Sequence, residues 1–320
     1  MSTGGGTRAV IAALLANTGI AVTKFFAWLL TGSASMLAEA IHSVADAGNQ
    51  SLLLLGGKRA QREATELHQF GFGRERYVYS FIVAIVLFSV GGLFALYEGY
   101  HKIQDPHPIE DWKWVPVAVL LIAIVMESFS FRTAIVESNK TRGKLSWTKF
   151  VRGARSPELP VILLEDFAAL AGLVLALFGV VLTLATGNGV WDGLGSMCIG
   201  ALLVLVAIFL AIEMKSLLIG ESATREAQDR IEAAIKSVPG VDRLIHIKTL
   251  HIGPEEVLVA AKVGVTPTDA AADVADAINA AEKAIREVEP TARHIYLEPD
   301  IYKPGYTPAE RPPVPEAPAH

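Results

Sequence analysis

The stretch MLAEAIHSVADAGNQ, residues 36–50, places Glu39, His42 and Asp46 in a run that is otherwise apolar, small or neutral. At about 100° per residue, His42 and Asp46 point within about 40° of each other, one helical turn apart, so both can contact one ion. An imidazole with a carboxylate suits zinc or a similar transition metal, and Asn49 continues the stripe. The alternative, a His–Asp pair that serves only packing, carries a burial cost that an apolar pair would avoid.

The sequence around this stretch is more apolar than a soluble domain of its length allows. Of 320 residues, 52% are hydrophobic and 19% are charged, and the mean hydropathy is +0.40. A bilayer core of about 30 Å needs roughly 20 apolar residues in a helix. We therefore predict a membrane domain, residues 9–220. Its six transmembrane helices are predicted at Ala9–Leu30, Ala34–Gly56, Tyr77–Tyr100, Trp114–Val136, Pro160–Ala185 and Trp191–Ile219.

Lys and Arg are unevenly distributed between the two sides of these predicted helices. Five lie between the second and third helices and seven follow the fourth, whereas the opposite loops hold only Lys102 and Lys113. Because basic residues accumulate in cytoplasmic loops, both termini are predicted to be cytoplasmic. Residues 1–8 are predicted to be disordered and are too weakly basic for a signal peptide. The lack of an Arg-rich amphipathic leader favours a prokaryotic plasma membrane.

The composition changes abruptly after Ile219. Nine Lys and Arg stand against fourteen Asp and Glu between Ser222 and Asp300, so this segment accounts for the net charge of −5. No polybasic stripe is present, which argues against nucleic acid as a partner. The hydrophobic pattern predicts a cytoplasmic domain, residues 221–300, followed by a Pro-rich disordered tail, residues 301–320. Its elements are a helix, two strands, a helix and a strand, at Thr224–Ser237, Leu244–Ile252, Val257–Val265, Ala270–Val288 and Arg293–Glu298.

Other predicted spans also contain ionisable residues, and burying one in lipid costs at least about 2.5 to 3.5 kcal/mol. In PVILLEDFAALAG, residues 160–172, Glu165 and Asp166 diverge by about 100°. One of them can face the second helix while the other faces a neighbouring helix or a cavity, and the sequence leaves open which. A carboxylate from this helix would join His42 and Asp46 in a tetrahedral site whose fourth position is another side chain or water.

Three more residues within the spans have simpler interpretations. Glu127 either pairs with the nearby Arg132 or a hydroxyl on a facing helix, or takes part in an ion path. Lys24 lies about 10 Å from the outer end of its helix, so we expect its amine to extend to the interface. Cys198 is the only cysteine, which excludes an intrachain disulfide, and we expect it to be a small core residue.

The segments SASMLAEAIHSVADAGNQ, HQFGFGRERY and LLEDFAALAG, at residues 33–50, 68–77 and 163–172, together resemble the cation diffusion facilitator family of metal-ion transporters. The chain is most similar to the branch that contains the mitochondrial zinc transporter nine. The resemblance implies six transmembrane helices, a ferredoxin-like cytoplasmic domain, homodimers, and export of divalent cations, usually against protons. The metal ion is then the transported substrate, and no cofactor is implied.

The resemblance also suggests ligands. The family's second-helix pair corresponds to His42 and Asp46, and the second member of its fifth-helix pair corresponds to Asp166. The first member of that fifth-helix pair, commonly His or Asp, falls on Ile162. The fourth ligand is therefore open between water and three side chains, Glu165, Glu127 and Asn49.

Two other metal positions of relatives are weakened in this sequence. In the loop after the second helix only His68 stands in a matching place, so we expect no second site there. In the cytoplasmic domain, His246 and Glu298 match metal positions of some relatives. Lys262, however, replaces another His, and an ammonium group repels a cation. We therefore expect this domain to act mainly in dimerisation.

Together these observations predict efflux of a divalent cation, with zinc favoured by His42, through proton antiport. Metal binding needs a neutral His and ionised carboxylates, so protons and metal compete for the site. One alternative is a transporter that prefers Mn²⁺ or Fe²⁺, and another is a membrane-anchored metal sensor or scaffold. A membrane metallohydrolase is disfavoured because no HExxH motif occurs.

Overall fold

The computed structural model describes residues 3–31, 34–106 and 113–304, without the side chains of residues 3–6, 8, 27–28, 30–31 and 34–42. The chain divides into two units. The first, called the helical unit, comprises Met1–Glu221 with His251–Glu255, and the second, called the sheet unit, comprises Ser222–Leu250 with Glu256–His320. The Pro-rich tail predicted from residue 301 onward lies, from residue 305, outside the described residues.

Long helices with short connections make up the helical unit. Helices α3 and α4 are joined without a break by a π-helical segment, Leu87–Leu93, and form one continuous rod. The end that carries the connection from α7 to α8 is called the outer end, following the predicted orientation. The helices are α1 (Thr3–Thr31), α2 (Ala34–Ala60), α3 (Glu75–Val86), α4 (Phe94–Gln104), α5 (Trp114–Arg142), α6 (Trp147–Gly153), α7 (Glu158–Thr186) and α8 (Val190–Ile219).

Within the described residues, five segments are long and apolar enough to cross a membrane, namely Ala9–Phe26, Glu75–Gln104, Trp114–Arg142, Glu158–Thr186 and Val190–Ile219. They correspond to five of the six predicted spans. The other prediction falls on α2, which has 27 residues and packs against α1 and α3. Its ionisable and amide side chains make it less apolar than the other five.

Several details of the helical unit differ from the predictions. Helix α1 begins at Thr3, so residues 3–8 are helical where we predicted disorder, because a helix once formed gains a hydrogen bond with each added residue. Helix α6 was not predicted, although Ser146 caps it by accepting a hydrogen bond from Lys149 N. Cys198 is exposed on the unit's surface and is not a core residue, because apolar positions of a membrane helix also face lipid.

The rod formed by α3 and α4 packs closely against α8 through glycines. A Cβ added to Gly99 would lie 2.7 Å from Met197 N and 2.8 Å from Gly193 O, and one added to Gly200 would lie 3.0 Å from Gly92 O. These distances are too short for any side chain, so the two backbones can approach only because both carry glycine. The spacing of seven residues in each helix repeats the contact after two turns.

The sheet unit has the predicted order of elements. Three strands pair in the order β1-β2-β3, and β2 and β3 are parallel with Val259 opposite Ile295. Apolar side chains from both helices pack with strand residues, so Ile231, Ile235 and Ile285 are fully buried. The elements are α9 (Arg225–Lys236), β1 (Arg243–Gly253), β2 (Glu256–Gly264), α10 (Ala271–Val288) and β3 (Ala292–Asp300).

Candidate metal site

Glu165 on α7 is bound by two amide side chains of α2. Asn49 Nδ2 donates to Glu165 Oε1 at 2.9 Å, and Gln50 Nε2 donates to Glu165 Oε2 at 3.0 Å. Gln50 Oε1 in turn accepts a hydrogen bond from Asn17 of α1 at 3.3 Å. All four side chains are buried. Both oxygens of Glu165 therefore help to hold α1, α2 and α7 together in the interior of the helical unit.

Asp166, the next residue, has different surroundings. Its Oδ2 accepts a hydrogen bond of 2.7 Å from Ser130 Oγ on α5, whereas its buried Oδ1 has no hydrogen-bond partner. The two neighbouring side chains point in different directions and therefore have different hydrogen bonds. Both oxygens of Glu165 accept from amide side chains, whereas one oxygen of Asp166 has no donor. The family's fifth-helix position Ile162, by contrast, is fully buried in an apolar cluster and offers no ligand.

Among the side chains of the helical unit that the structure describes, three buried carboxylate or amide oxygens lack a hydrogen-bond partner. They are Asn49 Oδ1 on α2, Glu127 Oε1 on α5 and Asp166 Oδ1 on α7. A buried oxygen without a donor is costly, and a cation is one way to satisfy it. The donor set of carboxylate and amide oxygens is also chemically suited to a divalent cation. These three oxygens are the strongest structural indication of an ion site.

A cavity of about 100 Å³ is lined by Glu127, one of these three residues. Asp46 and Glu127, near the middle of α2 and α5, line it at one end. It extends along α4 to Lys102, which is two residues from the outer end of that helix. Glu127 thus faces the cavity, and its unpartnered Oε1 does not form the pair with Arg132 that we considered as an alternative.

The four acids of this region influence one another. The carboxylates of Asp46, Glu127, Glu165 and Asp166 lie close enough to interact electrostatically. The side chains of His42 and Glu39 lie outside the part of the chain that the structure describes. Among the side chains it does describe, no group of three or more His, Cys, Asp or Glu has the arrangement of a metal site.

The position of the Lys24 side chain differs from the one that we expected from the sequence. We expected its amine to extend to the outer interface, but the residue is only 3% exposed and Lys24 Nζ donates to Ser43 Oγ on α2 at 3.0 Å. It lines the same cavity as Asp46 and Glu127. The axial distance of about 10 Å to the helix end was compatible with either direction. The sequence did not reveal that Asn17, Ile20 and Lys24 share the face of α1 that lines the cavity.

The positions that some relatives use for additional metal ions make other contacts in this chain. His68 forms a local turn with Thr65, in which His68 N donates to Thr65 Oγ1 at 3.1 Å, and its ring stacks against Phe72. In the sheet unit, Lys262 Nζ lies 3.1 Å from Glu298 Oε1 and 2.9 Å from Asp300 Oδ2. The ammonium group therefore occupies the position beside Glu298 that a metal ion would need.

This ion pair shifts the titration of its members. Hydrogen bonds to Asp300 and Glu298 raise the pKa of Lys262, and the hydrogen bond from Lys262 lowers the pKa of Asp300. His246 Nδ1 in the same unit is buried without a hydrogen-bond partner. His251 is a buried strand residue whose Nδ1 lies 3.2 Å from Gly253 O.

Sequence reasoning missed three residues of the site: Ser130, Gln50 and Asn17. Each is a polar side chain inside a predicted span, and that was the only signal available. A lone Ser or amide in a membrane helix most often bonds to its own backbone, so its position alone did not distinguish these residues from others.

Comparison with known proteins adds a family to this geometry. A family model described as the cation efflux transmembrane domain matches residues 10–219. The chain is 35% identical over 258 residues to the mitochondrial proton-coupled zinc antiporter SLC30A9 of Homo sapiens, covering 80% of this chain and 45% of that protein. It is 31% identical over 249 residues to Metal tolerance protein C4 of Arabidopsis thaliana, covering 77% and 54% respectively.

The chain spans about half the length of these curated relatives. Among solved structures, the MamM CTD covers 24% of this chain and 96% of that chain, at 21% identity and a TM-score of 0.23.

Proposed function

Because this chain belongs to the cation efflux family, the cation diffusion facilitators, we propose that it moves a divalent metal cation across a membrane in exchange for protons, with zinc preferred. Its family consists of transporters rather than enzymes. The observation that carries the proposal is the set of three buried oxygens without donors, on Asn49, Glu127 and Asp166, of which Glu127 lines a cavity together with Asp46. Buried oxygens without a donor are uncommon in folded proteins, and a bound cation would satisfy all three.

The proposed transport site consists of His42 and Asp46 from α2 and Asp166 from α7. Glu127 or Asn49 supplies the remaining ligand in this arrangement, since each has an oxygen without a donor. Glu165 is assigned a supporting role because both of its oxygens already accept amide hydrogen bonds. A His nitrogen among these oxygens favours zinc over manganese or iron(II).

The clustering of four acidic side chains in the helical unit is the reason that we propose coupling to protons. Four interacting carboxylates in a buried region cannot all remain charged unless positive charge arrives with them. Either a divalent cation or protons can supply that charge, so the two compete for the same groups. Alternating exposure of the site to the two sides of the membrane then makes the cation leave as protons arrive. The relative SLC30A9 carries the name of a proton-coupled zinc antiporter, which supports this assignment.

We also propose how the helices and the sheet unit are arranged around this site. All six long rods, α2 among them, cross the membrane, because α2 packs between apolar helices and buries its polar face. The sheet unit is a ferredoxin-like domain that pairs two chains into a homodimer. Both termini face the cytoplasm. The plasma membrane of a prokaryote remains a prediction from the sequence. The relative SLC30A9, by contrast, is named as mitochondrial.

Reconstitution into liposomes tests the proposal. A zinc gradient should drive an opposite proton flux, detected by a pH-sensitive dye inside the vesicles, and Asp46→Ala should abolish both fluxes. Asp192→Asn is a matched control, because this acid lies at the outer end of α8 and pairs with Lys102 without itself lining the cavity. Zinc binding without any flux would instead favour the anchored sensor or scaffold.

A further inference from the structure

Lys24 is a buried cation in a region of buried acids. It is 3% exposed, and the hydroxyl of Ser43 accepts a hydrogen bond of 3.0 Å from its ammonium group. It lines the cavity together with Asp46 and Glu127, and it is close enough for its charge to interact with the carboxylate of Glu127. Burying an ammonium group is expensive unless nearby negative charge compensates it. The carboxylates of the proposed metal site provide that compensation.

The same carboxylates would bind the transported ion. A divalent cation that enters beside Asp46 or Glu127 experiences attraction from the acids and repulsion from Lys24 in one enclosed space. In a protein interior, charges several ångströms apart interact by a few kcal/mol even at an effective dielectric constant near 20. Lys24 is attached to α1, so it is present at every stage of the cycle, whereas the metal ion is not.

We propose that Lys24 is a tethered counter-cation of the transport site. It neutralises part of the carboxylate charge when the site is empty, and it weakens the binding of the divalent ion so that the ion can leave. Ser43 holds the ammonium group in the cavity. This inference rests on the proposed function, because it requires the acids beside Lys24 to bind the cargo.

The proposal differs from a structural role in the direction of its effect. If Lys24 only stabilised the packing of α1 against α2, removing its charge would loosen the site and weaken metal binding. If it competes with the cargo, removing its charge tightens binding and slows release. Metal affinity that increases after the loss of a buried residue is not expected from damage to the fold.

The test uses the full-length protein in detergent and in liposomes, with zinc as the probe. Lys24→Gln removes the charge and keeps a hydrogen-bond donor for Ser43, whereas Lys24→Arg keeps the charge. Lys102→Gln is the matched control, because Lys102 lines the outer end of the same cavity but is already paired with Asp192 at 2.9 Å. Calorimetric titration at pH 7.5 gives the zinc Kd, and zinc flux gives the maximal rate.

We expect Lys24→Gln to lower the zinc Kd by about tenfold or more, which corresponds to about 1.4 kcal/mol, and to lower the maximal flux. Lys24→Arg should stay within a few-fold of wild type in both quantities, and Lys102→Gln should not change the Kd. An unchanged or raised Kd in Lys24→Gln would overturn the inference, provided that Asp46→Ala abolishes binding. If Asp46→Ala binds zinc as wild type does, the transport site itself is wrong.

Discussion

Ser130 on α5 donates a hydrogen bond of 2.7 Å to Oδ2 of Asp166 on α7, and both residues are at most 4% exposed. The contact fixes the rotation of the carboxylate, and Oδ1 remains without a donor. One oxygen of the acid is therefore used for orientation and the other is available for a cation. This division of roles resembles the way outer hydrogen bonds orient ligands at metal sites in general.

Replacing Ser130 by Ala should weaken zinc binding without removing a ligand. A hydrogen bond to a charged group contributes about 1.5 to 3 kcal/mol, so we expect the zinc Kd to rise by about ten- to a hundredfold. Ser130→Thr keeps the hydroxyl and should stay close to wild type. Calorimetric titration of the purified protein checks both values. Equal zinc affinities in Ser130→Ala and wild type would show that Asp166 needs no positioning.

The neighbouring acids should respond differently to neutralisation. Asp166→Asn removes a charged ligand and should raise the zinc Kd by at least about a hundredfold. Glu165→Gln replaces an acceptor of two amide hydrogen bonds, so we expect lower thermal stability, altered pH dependence of transport and a smaller loss of affinity. Titration and a thermal melt of each variant provide the comparison. A larger affinity loss in Glu165→Gln would exchange the two roles.

His42 should control which metal is preferred. Replacing its imidazole by the carboxylate of His42→Asp gives an all-oxygen site, which suits harder ions such as manganese. We expect transport to persist while the ratio of zinc flux to manganese flux falls severalfold in liposomes. The same ratio in mutant and wild type would count against His42 as a ligand.

The contact between α4 and α8 should not tolerate a side chain. Gly99→Ala would place a Cβ 2.7 Å from Met197 N, and the backbone cannot move away without separating the helices. We expect a loss of several degrees in melting temperature and a lower yield of folded protein. Gly57→Ala is the control, since no atom lies within 4 Å of its added Cβ and Ala favours a helix more than Gly does. Similar melting curves for the two variants would contradict the close packing.

The sequence predicted the parts of this molecule that periodicity and composition control. Apolar runs located the long helices because membrane crossing requires a fixed length, and alternation located the strands of the sheet unit. The face on which Lys24 lies could not be predicted, because it depends on how α1 rotates against α2 and α5. The π-helical segment Leu87–Leu93 was also not predicted, because the extra residue in a π-helical turn does not change the amino-acid composition.

The residues of the candidate site were also predicted only in part. Asp46 and Asp166 followed from helix geometry and family resemblance, and these predictions await tests by mutation. Ser130, which bonds to Asp166, and Gln50, which bonds to Glu165, were not predicted, because a hydrogen bond across helices depends on which side chains meet after packing. Lys262 was expected to repel a metal ion, and the structure adds that its charge is compensated by Glu298 and Asp300.

The Lys262–Asp300 pair should stabilise the sheet unit over a defined pH range. The lowered pKa of Asp300 means that its contribution is present above the ordinary value near 4 and is lost as the pH falls through the lowered value. The raised pKa of Lys262 means that its contribution is present below about 10.4 and is lost only at higher pH. Between pH 5 and pH 9 the stabilisation should therefore be constant.

Lys262→Met tests this prediction in the full-length protein. Hydrogen exchange of the β2 and β3 amides, corrected for the intrinsic rate at each pH, should show less protection in the variant than in wild type, by the same factor at pH 5 and pH 9. The difference should shrink as the pH falls from about 4 through the lowered pKa of Asp300, because Asp300 is neutral below that value and no longer attracts Lys262. Lys236→Met is the control, since that residue pairs only with exposed Glu232 within α9. A difference in protection that stayed constant on acidification would show that Lys262 acts through packing and not through its charge.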